Sequence, residues 1–249
     1  MAQTDADAAA RQARLALEGL LADAPAIAPL PPGFSDAMER FVALLLDANR
    51  RLNLTRIVVP DEVARRHLLD ALAGLPHVDR VAPRVALDLG SGGGLPGIPL
   101  AAARPDVEWI LVDAVAKKAD ALRGFAEALQ LRNVRVVAER AETLGRLPQH
   151  RDKHDLVVAR ACAPLPVLAE LALPLLRVGG RLVAWKGLLT DADAEVRAGR
   201  SAASQLGGAA LTIEDAGDRG TRFVMVSKER PTPDRFPRRP GVPARRPLA

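Results

Sequence analysis

The sequence predicts an α/β protein with a seven-stranded, mostly parallel sheet, helices on both faces of that sheet, and a helical cap on its N-terminal side. Three observations support this prediction. From about residue 84 onward, short β-branched runs alternate with helical stretches, which is the pattern of successive β-α-β units. Three helical patterns precede the first strand and supply the cap. The chain has 249 residues, 49% of them hydrophobic, which is enough for a large buried core.

Helical patterns define the region before the sheet. Asp5 to Leu21 is rich in alanine and loosely patterned, and prolines then break the chain. Asp36 to Asn49 has one apolar face, and Asp36 with Glu39 predicts a capping box at its start. A third helix follows Pro60, where His67 recurs with apolar residues at helical spacing. We therefore divide the chain into an N-terminal extension (1–34), a helical cap (35–80), a main domain (81–229) and a C-terminal tail (230–249).

Seven strands and four intervening helices are predicted in the main domain. The predicted strands are Val85 to Leu89, Trp109 to Asp113, Val134 to Ala138, Leu156 to Ala159, Arg181 to Trp185, Ala210 to Glu214 and Phe223 to Ser227. The predicted helices are Pro96 to Ala103, Lys117 to Leu129, Pro166 to Leu176 and Asp191 to Gln205. Because only a short polar stretch joins the last two strands, they should form an antiparallel pair at one edge of the sheet.

Composition excludes several classes of protein. A single cysteine excludes an internal disulfide framework and a multi-cysteine zinc site, and we expect no metal. No apolar run approaches the ~18 residues that a membrane span needs. The acidic start lacks the basic region of a signal peptide. We therefore expect a soluble, cytoplasmic, monomeric protein with no membrane partner.

A glycine-rich turn follows the first strand. The run Asp88-x-Gly90-x-Gly92-x-Gly94 leads into a helix, where backbone amides can approach a ligand at the carboxyl edge of a parallel sheet. A dinucleotide fingerprint would need its third glycine at the position of Leu95, so the spacing argues against that ligand. The pattern resembles motif I of the Rossmann-like class I S-adenosylmethionine-dependent methyltransferases. In that motif a side chain at Gly90 or Gly92 would occupy the space of the methionine moiety.

Acidic residues near the next two strand ends support a nucleoside ligand. Asp113 ends the second strand, where a carboxylate can accept hydrogen bonds from both ribose hydroxyls. Ala141 and Glu142 follow the third strand, where a backbone amide and a carboxylate could bind the adenine edge. Each acid alone would be read as a solvated surface charge. Together with the glycine turn, these positions predict S-adenosylmethionine as the cofactor.

The segment after the fourth strand restricts the methyl acceptor. It reads Arg160-Ala161-Cys162-Ala163-Pro164 and lacks the acidic or amide residue and two prolines typical of adenine amine methylation. Cytosine C5 methyltransferases commonly need two cysteines, whereas this chain has only Cys162, which we expect to be a small buried residue. The remaining possibility is an acceptor atom that is already nucleophilic, such as guanine N7. Such an atom needs no general base, only alignment with the methyl group of the cofactor. Arg160 could pair with the cofactor carboxylate or hold the guanine or its phosphate, and a strand-end salt bridge is the alternative.

Six short blocks occur together in this chain. They are Asn53-Leu54-Thr55, Arg66-His67-x-x-Asp70, the run from Leu87 to Leu100, Arg140-Ala141-Glu142, Arg160-Ala161 and Lys186-Gly187. Their combination resembles the RsmG family, also called glucose-inhibited division protein B, from about Ser35 to the C-terminus. The resemblance implies transfer of a methyl group to N7 of a guanosine in 16S ribosomal RNA, with the RNA or the 30S subunit as partner.

The resemblance also implies roles for individual residues. It implies cofactor contacts at Gly90, Leu95, Ala141, Glu142 and Arg160. His67 is placed near the pocket, although its helical spacing from Asp70 would by itself suggest a surface or interdomain pair. The candidate catalytic residues are Arg160, Lys186 and His67. Lys186, which follows the fifth strand, is also a candidate to bind RNA. Trp185 should belong to the core.

The positive charge is concentrated in the tail. Residues 230–249 hold six arginines against Asp234 alone, which accounts for the whole net charge of +5. Prolines fix φ and remove amide donors, so the segment should be extended, with five uncompensated charges. Arg238 and Arg239 are candidates to bind RNA, and five phosphate contacts to a single strand would give a salt slope of about −3.5. A disordered solubilising tail is the alternative.

Two other functions remain open from the sequence. A small-molecule or protein methyltransferase would not need the basic tail. A ribosome assembly or RNA-binding factor with a vestigial cofactor site would bind 30S particles without transferring a methyl group.

Overall fold

The computed structural model describes residues 3–27, 29–216 and 220–248, and its centre is a seven-stranded sheet. The strands are β1 (Val85–Leu89), β2 (Glu108–Asp113), β3 (Val134–Ala138), β4 (His154–Arg160), β5 (Leu176–Lys186), β6 (Thr212–Asp215) and β7 (Arg222–Ser227). They lie in the order β3-β2-β1-β4-β5-β7-β6, with β1 to β5 parallel and β7 antiparallel to both β5 and β6. The predicted fold class and the antiparallel pair at the edge are confirmed.

Helices precede the sheet and connect its strands. Before β1 lie α1 (Gln3–Ala22), α2 (Phe34–Leu52), α3 (Pro60–Val63), a π-helical segment (Ala64–Leu69), α4 (Asp70–Leu72) and α5 (Leu75–Val81). The later helices are α6 (Gly97–Ala103), α7 (Ala116–Ala128), α8 (Ala141–Leu144), α9 (Leu165–Ala172), α10 (Ala194–Gln205) and α11 (Val242–Arg245). The short helices α5, α8 and α11 were not predicted. None of the described helices is long and apolar enough to span a membrane.

The central strands are buried on both faces, as a parallel sheet covered by helices requires. Ala86 and Val158 pack on one face in a core that includes residues of α1, α2 and the π-helical segment. Leu87 and Val157 pack on the other face with residues of α9 and α10. Trp185 is 3% exposed and lies against Gly74, where an added Cβ would come within 2.1 Å of the indole ring. Trp185 is therefore a core residue, as predicted.

The start of α2 differs from the expectation. The helix begins at Phe34, with Gly33 at its N-cap (φ 77°) and no hydrogen bond from a capping side chain. The predicted capping box of Asp36 and Glu39 is therefore wrong. Glu39 instead accepts a 2.6 Å hydrogen bond from Arg14 Nε of α1, which joins the two helices by an ion pair.

The boundary between α9 and β5 also differs. We predicted a helix to Leu176, but α9 ends at Ala172 and Leu176 begins β5. Leu176 pairs with His154 in the β4–β5 ladder. An apolar run near a strand does not reveal from periodicity alone which residue leaves the helix, because both elements bury it.

The tail is packed against the main domain, which corrects the expectation of an extended segment with five uncompensated charges. Thr232 and Phe236 are buried, and the Arg151 guanidinium donates hydrogen bonds to both of their carbonyl oxygens. Arg238 forms an ion pair with Glu170, a residue of α9 that has no exposed surface. At least one tail charge is therefore compensated by a carboxylate of the main domain.

The order of the strands reverses between β1 and β4. β1 pairs with β2 on one side and with β4 on the other, although β2 follows it in the chain and β4 comes much later. In such sheets the crevice beyond the carboxyl ends of the strands at this point is where ligands bind. The ends of β1, β2 and β4 bring Gly90, Asp113 and Arg160 to this crevice.

Candidate active site

The glycine turn after β1 is held close to the end of β2. Gly90 and Ser91 both donate their amide hydrogens to the Val112 carbonyl at 2.9 Å. Gly90 has φ +76°, a conformation that glycine adopts without the steric cost of a side chain. An added Cβ at Gly90 would also lie 2.9 Å from Cys162 Sγ. The glycine is therefore required by the backbone conformation and by the close approach of Cys162.

Asp113 shapes this turn rather than lining an open cavity. Its Oδ2 accepts a hydrogen bond from Gly92 N at 3.0 Å and its Oδ1 accepts one from Val115 N at 2.8 Å. The residue is 8% exposed, and its neighbours Val112 and Ala114 line the adjacent cavity. The ribose contact that we predicted for Asp113 stays a prediction, as do the cofactor contacts of Gly92 and Leu95, which do not line that cavity either.

Asp88 is buried beneath the turn. Its Oδ2 accepts a hydrogen bond from Gly97 N at 3.0 Å, which ties the end of β1 to the start of α6. Its Oδ1 is buried without a hydrogen-bond partner. Burial raises the pKa of Asp88 to about 7, although the bond from Gly97 favours the ionised form. The first acidic residue of the glycine pattern is thus a structural support for the turn.

A cavity of about 280 Å³ opens at the carboxyl edge of the sheet, and we call it the sheet-edge cavity. Three of the predicted cofactor residues, Gly90, Ala141 and Glu142, line it. The other lining residues are Leu89, Val112, Ala114, Glu139, Arg140, Cys162, Ala163, Val167, Leu171, Pro243 and Ala244. The structure therefore joins the β1 turn, the start of α8 and the tail in one largely apolar pocket with a carboxylate.

Glu142 is the buried carboxylate of the sheet-edge cavity and is 5% exposed. Its Oε1 accepts hydrogen bonds from Gly241 N at 2.8 Å and from the Arg140 guanidinium at 3.4 Å. Burial acts to raise the pKa of Glu142, but these donors outweigh it, and the pKa is lowered from its usual value. Glu142 is therefore ionised at neutral pH.

A second cavity of about 540 Å³ lies between the helical cap and the end of β4, and we call it the cap cavity. It is lined by Ile57, Arg65, Arg66, His67, Leu69, Asp70, Arg160, Ala161, Gly220 and Thr221. Arg65 and Arg66 are exposed residues, so the rim of this cavity carries positive charge. Two of the predicted catalytic residues, His67 and Arg160, share this cavity.

Arg160 is held by the cap. Its guanidinium donates hydrogen bonds to Asp70 Oδ2 at 3.0 Å and to the Arg66 carbonyl at 3.1 Å. Asp70 is itself oriented by the Thr221 hydroxyl, which donates to Oδ1 at 2.8 Å. Arg160 therefore forms the salt bridge of our alternative interpretation, and that bridge places it on the wall of the cap cavity.

His67 is buried and neutral. Its Nε2 lies 2.7 Å from Thr55 Oγ1 and its Nδ1 lies 3.2 Å from the Arg66 carbonyl. The tautomer with its proton on Nδ1 satisfies these two contacts, whereas the tautomer with its proton on Nε2 would leave Nδ1 free to accept from the Arg160 guanidinium, which lies 3.5 Å away. Burial, followed by the charge of Arg160, lowers the pKa of His67 to about 4. His67 is thus a neutral residue that joins Thr55 to Arg66 within the cap and lies beside Arg160 of β4.

Cys162 does not have the buried position that we expected. The residue is exposed and lines the sheet-edge cavity. Although the residue as a whole is exposed, its Sγ lies against the Gly90 turn, and desolvation there, together with the charges of Asp88 and Asp113, raises the pKa of the thiol to about 11. A thiol with this pKa is protonated at neutral pH and is a poor nucleophile. Covalent catalysis through Cys162 is disfavoured by its environment as well as by the lack of a second cysteine.

Consecutive residues at the end of β4 and just after it line the two cavities. Arg160 and Ala161 line the cap cavity, whereas the next two residues, Cys162 and Ala163, line the sheet-edge cavity. Ala161 has φ +52°, so the chain turns sharply between them. One short stretch of chain therefore forms part of the wall of both cavities.

The remaining predicted residues lie outside both cavities. Lys186 forms an ion pair with Glu195 at 2.6 Å and donates a hydrogen bond to the Ala163 carbonyl at 3.1 Å. Through this hydrogen bond Lys186 holds the segment that follows β4. Arg238 donates through its Nε and NH2 to Glu170 at 2.9 and 2.5 Å, so its guanidinium is committed to the main domain. Arg239 is exposed, and its RNA contact stays a prediction.

Several residues of the site escaped sequence interpretation. Arg65 and Thr221 carry no local motif, so only the fold could bring them to the cap cavity, and the contact of Gly241 with Glu142 was not foreseen. Thr55 lies in one of the blocks that we noted, but its contact with His67 was not foreseen. Among the residues that the structure describes, no group of three histidine, cysteine or acidic side chains is placed to hold a metal ion.

Known structures share this fold. The O-methyltransferase from Bacillus cereus in complex with SAH superposes with a TM-score of 0.52 at 21% identity, covering 74% of this chain and 89% of that one. The CMeT domain of the citrinin polyketide synthase gives a TM-score of 0.54 at 13% identity, covering 86% and 69%. The Rossmann-like class I methyltransferase fold that we predicted is confirmed.

Sequence comparison identifies the family. The family model described as "GidB: rRNA small subunit methyltransferase G" matches residues 35–222. The Ribosomal RNA small subunit methyltransferase G of Deinococcus deserti is 47% identical over 85% of this chain and 88% of its own length. That of Chloroflexus aggregans is 45% identical over 84% and 88%. The chain therefore belongs to the rRNA small subunit methyltransferase G family and is an S-adenosylmethionine-dependent methyltransferase.

Proposed function

We propose that the protein transfers a methyl group from S-adenosylmethionine in the sheet-edge cavity to N7 of a guanosine of 16S ribosomal RNA in the cap cavity. The observation that carries this proposal is that the consecutive residues 160–163 line first the cap cavity and then the sheet-edge cavity. Methyl transfer needs the donor and the acceptor atom in contact, with the reacting atoms aligned. Two cavities that share one short segment as part of their walls would place the donor and the acceptor side by side at that segment.

The sheet-edge cavity fits the cofactor. Gly90 presents its backbone without a side chain, and the buried Glu142 supplies an ionised acceptor for the hydroxyl or amine groups of a nucleoside. Leu89, Val167 and Leu171 provide apolar walls for its rings. When bound, the cofactor supplies an electrophilic methyl group on a sulfonium. Gly90, Ala141 and Glu142 would hold the cofactor there.

The residues around the cap cavity favour an acceptor that needs no base. Guanine N7 carries a lone pair in the plane of the ring and loses no proton before it is methylated. His67 is neutral but has both ring nitrogens in contact with Thr55 and Arg66, and Cys162 is a protonated thiol. Neither group is free to accept a proton from an exocyclic amine. Orientation of the acceptor is therefore the contribution that this chain can make.

Positively charged side chains at the cap cavity suit an RNA acceptor. Arg65 and Arg66 are exposed at its rim, where guanidinium groups can bind phosphates. Arg160 on its wall can donate to a guanine carbonyl oxygen while its other contacts hold it to Asp70 and the Arg66 carbonyl. This charge favours nucleic acid over an uncharged small molecule as the substrate.

We further propose that the partner is 16S RNA or the 30S subunit, that the enzyme acts as a monomer, and that it works in the cytoplasm. Lys186 contributes by positioning the segment after β4, since its ammonium group is engaged by Glu195 and the Ala163 carbonyl. Of the two tail arginines predicted to bind RNA, Arg238 is paired with Glu170, so Arg239 is the remaining candidate.

The decisive experiment supplies methyl-labelled S-adenosylmethionine with naked 16S RNA, 30S subunits and total protein in separate reactions. We expect label in 16S RNA, free or within the 30S subunit, and strand cleavage by chemistry specific for 7-methylguanosine at a single position. Label in protein only would contradict the proposal. Binding to 30S subunits with no label in any substrate would instead support an assembly factor with a vestigial site.

A matched pair of variants tests the acceptor side. Arg160→Lys keeps the charge but loses the planar fork that contacts both Asp70 and the Arg66 carbonyl, so methyl transfer to RNA should fall about tenfold or more. Arg123→Lys, in an exposed i,i+3 pair on α7, is the control and should retain activity. Equal activity of the two variants would remove Arg160 from the proposed site.

A further inference from the structure

The tail reaches the sheet-edge cavity at two points. The Gly241 amide donates a 2.8 Å hydrogen bond to Glu142 Oε1. Pro243 and Ala244, which lie in α11, line the same cavity as Gly90 and Cys162. The cavity wall is thus completed by residues that lie about a hundred positions after Glu142 in the chain.

A series of contacts fixes the tail ahead of Gly241. Arg238 donates to the buried Glu170 through its backbone N–H at 2.8 Å as well as through its guanidinium. The Thr232 hydroxyl donates to the Leu206 carbonyl, and Pro237 packs against Gly145, where an added Cβ would come within 3.1 Å of the proline ring. Because these anchors are buried or partly buried, Gly241 is presented to Glu142 by a rigid segment.

The direction of this contact matters for the chemistry of the site. An amide N–H that faces a buried carboxylate stabilises its ionised form and fixes the orientation of its oxygens. Glu142 has few other donors: the Arg140 guanidinium is at the long distance of 3.4 Å, and Arg140 is exposed. Gly241 therefore provides the shorter of the two hydrogen bonds that the carboxylate accepts from other residues.

We propose that the tail is a positioning element of the cofactor site, in which the Gly241 amide orients the Glu142 carboxylate toward the cofactor and the Arg238–Glu170 pair holds Gly241 in place. This inference rests on the proposed contact between Glu142 and the cofactor. It assigns the tail a role in cofactor binding that is separate from any contact with RNA. A purely electrostatic tail would change RNA binding and leave cofactor affinity intact.

Two truncated chains, both prepared with C-terminal amides so that neither adds a carboxylate near Glu142, compare the site with and without the Gly241 residue. One ends at Val242 and keeps Gly241 but loses Pro243 and Ala244, whereas the other ends at Pro240 and lacks Gly241 and Val242 as well. Both keep the contacts of Thr232 with Leu206 and of Arg238 with Glu170, and both lose the contact of Arg238 with the Arg246 carbonyl. Affinity for S-adenosylmethionine is measured by calorimetry without RNA, in the wild-type and Glu142→Gln backgrounds.

We expect the chain ending at Pro240 to bind S-adenosylmethionine about tenfold or more weakly than the chain ending at Val242, because it loses a hydrogen bond to a charged group. This difference should shrink strongly in the Glu142→Gln background, since the amide then has no carboxylate to orient. Equal affinities of the two truncations, or the same difference in both backgrounds, would overturn the proposal. Arg230→Ala removes an exposed charge at the start of the tail and should leave cofactor affinity unchanged.

The Glu142→Gln variant and the two truncations distinguish failure of this inference from failure of the proposed function. If Glu142→Gln leaves the affinity of the full chain unchanged, the placement of the cofactor at Glu142 is wrong. If Glu142→Gln weakens binding but the two truncations do not differ, the cofactor site stands and the positioning role of the tail is refuted.

Hydrogen exchange on the full-length chain tests the same contact without truncation. Exchange at the Gly241 amide should be faster in Glu142→Gln than in wild type, and S-adenosylmethionine should slow it in wild type. If neither the substitution nor the cofactor changes the exchange rate of the Gly241 amide, the inference is contradicted. This result holds even if a truncated chain fails to fold.

Discussion

Gly90 illustrates how a single backbone conformation governs the proposed site. Its φ of +76° lies in the left-handed region, and Cys162 Sγ approaches to within 2.9 Å of the position that a Cβ would take. Any side chain therefore meets both a conformational cost and a steric one. The carbonyl of Val112 holds the turn from the β2 side, which keeps Gly90 in its left-handed conformation.

We predict that Gly90→Val lowers affinity for S-adenosylmethionine at least about tenfold, because a β-branched residue costs about 1–2 kcal/mol or more in the left-handed region and displaces the turn. Calorimetry on the folded variant measures this effect. Gly124→Ala is the control, because Gly124 lies on an exposed part of α7 with no heavy atom within 4 Å of an added Cβ. Retained affinity in Gly90→Val would refute the position of the cofactor at this turn.

His154 is a buried histidine that the proposed reaction does not use. It is 1% exposed, both of its ring nitrogens lack a hydrogen-bond partner, and its ring stacks on His150 at 5.6 Å. Burial, followed by the charge of His150, lowers the pKa of His154 to about 4. An unfolded histidine has a pKa of about 6.5, so the unfolded chain binds this proton more readily. Stability is therefore lost as the pH falls from about 6.5 towards 4.

We predict that His154→Leu changes the pH dependence of the free energy of unfolding. Relative to wild type, the variant should gain about 2 kcal/mol on going from about pH 8 to about pH 5, because its unfolded state no longer takes up this proton. Chemical denaturation at a series of pH values measures the difference. A difference that is constant across this range would show that His154 has an ordinary pKa in the folded protein.

Element boundaries were predictable where local pattern and tertiary packing agree. Strands β1 and β3 match the predicted residues, since both are short apolar runs with turn residues on either side. The start of α2 and the end of α9 were wrong, because contacts with other elements decide them: Glu39 binds Arg14 of α1, and Leu176 pairs with β4. Local sequence contains no information about such partners.

The structure of the tail could not be predicted from its local sequence either, because its partner lies far away in the chain. Its prolines and arginines predicted an extended basic segment, but Glu170 in α9 is buried 68 residues earlier in the chain and requires a cation. An unpaired buried carboxylate is costly, whereas one that is paired and hydrogen-bonded is tolerated. Arg238 provides that partner, and the tail is thereby attached to the main domain.

We predict that Arg238→Ala destabilises the folded protein by about 3–5 kcal/mol, because it leaves the Glu170 charge buried without its partner. The neighbouring Arg239→Ala should change stability by less than about 0.5 kcal/mol, since Arg239 is exposed. Urea denaturation followed by circular dichroism compares the two. Similar stabilities for both variants would mean that the ion pair is not formed in solution.

At the scale of the whole molecule, net charge is a poor guide to where RNA binds. The excess of +5 lies in residues 230–249, yet Arg238 is neutralised by Glu170. Meanwhile Arg65 and Arg66 lie at the rim of the cap cavity, in a part of the chain whose formal charges cancel overall. Local placement of arginines therefore matters more than their number.

We predict that the double variant Arg65→Ala with Arg66→Ala raises the KM for RNA and makes its salt dependence shallower. If each arginine contacts one phosphate of a single strand, the salt slope should become less negative by about 1.4. Affinity for S-adenosylmethionine should not change, because neither residue lines the sheet-edge cavity. An unchanged salt slope would place the RNA elsewhere on the protein.

The pattern of residues along the chain was sufficient for the order of the strands in sequence, the parallel sheet with its antiparallel edge, and the cofactor class, because periodicity and a glycine turn are local properties. Residues such as Gly90, Glu142 and Arg160 could be singled out for the same reason. Tertiary structure alone decided that residues 160–163 line both cavities, that His67 is neutral and Cys162 protonated, and that Gly241 contacts Glu142. These features depend on burial and on contacts between distant segments, and the energy of a buried group is set by neighbours that its own stretch of sequence does not contain.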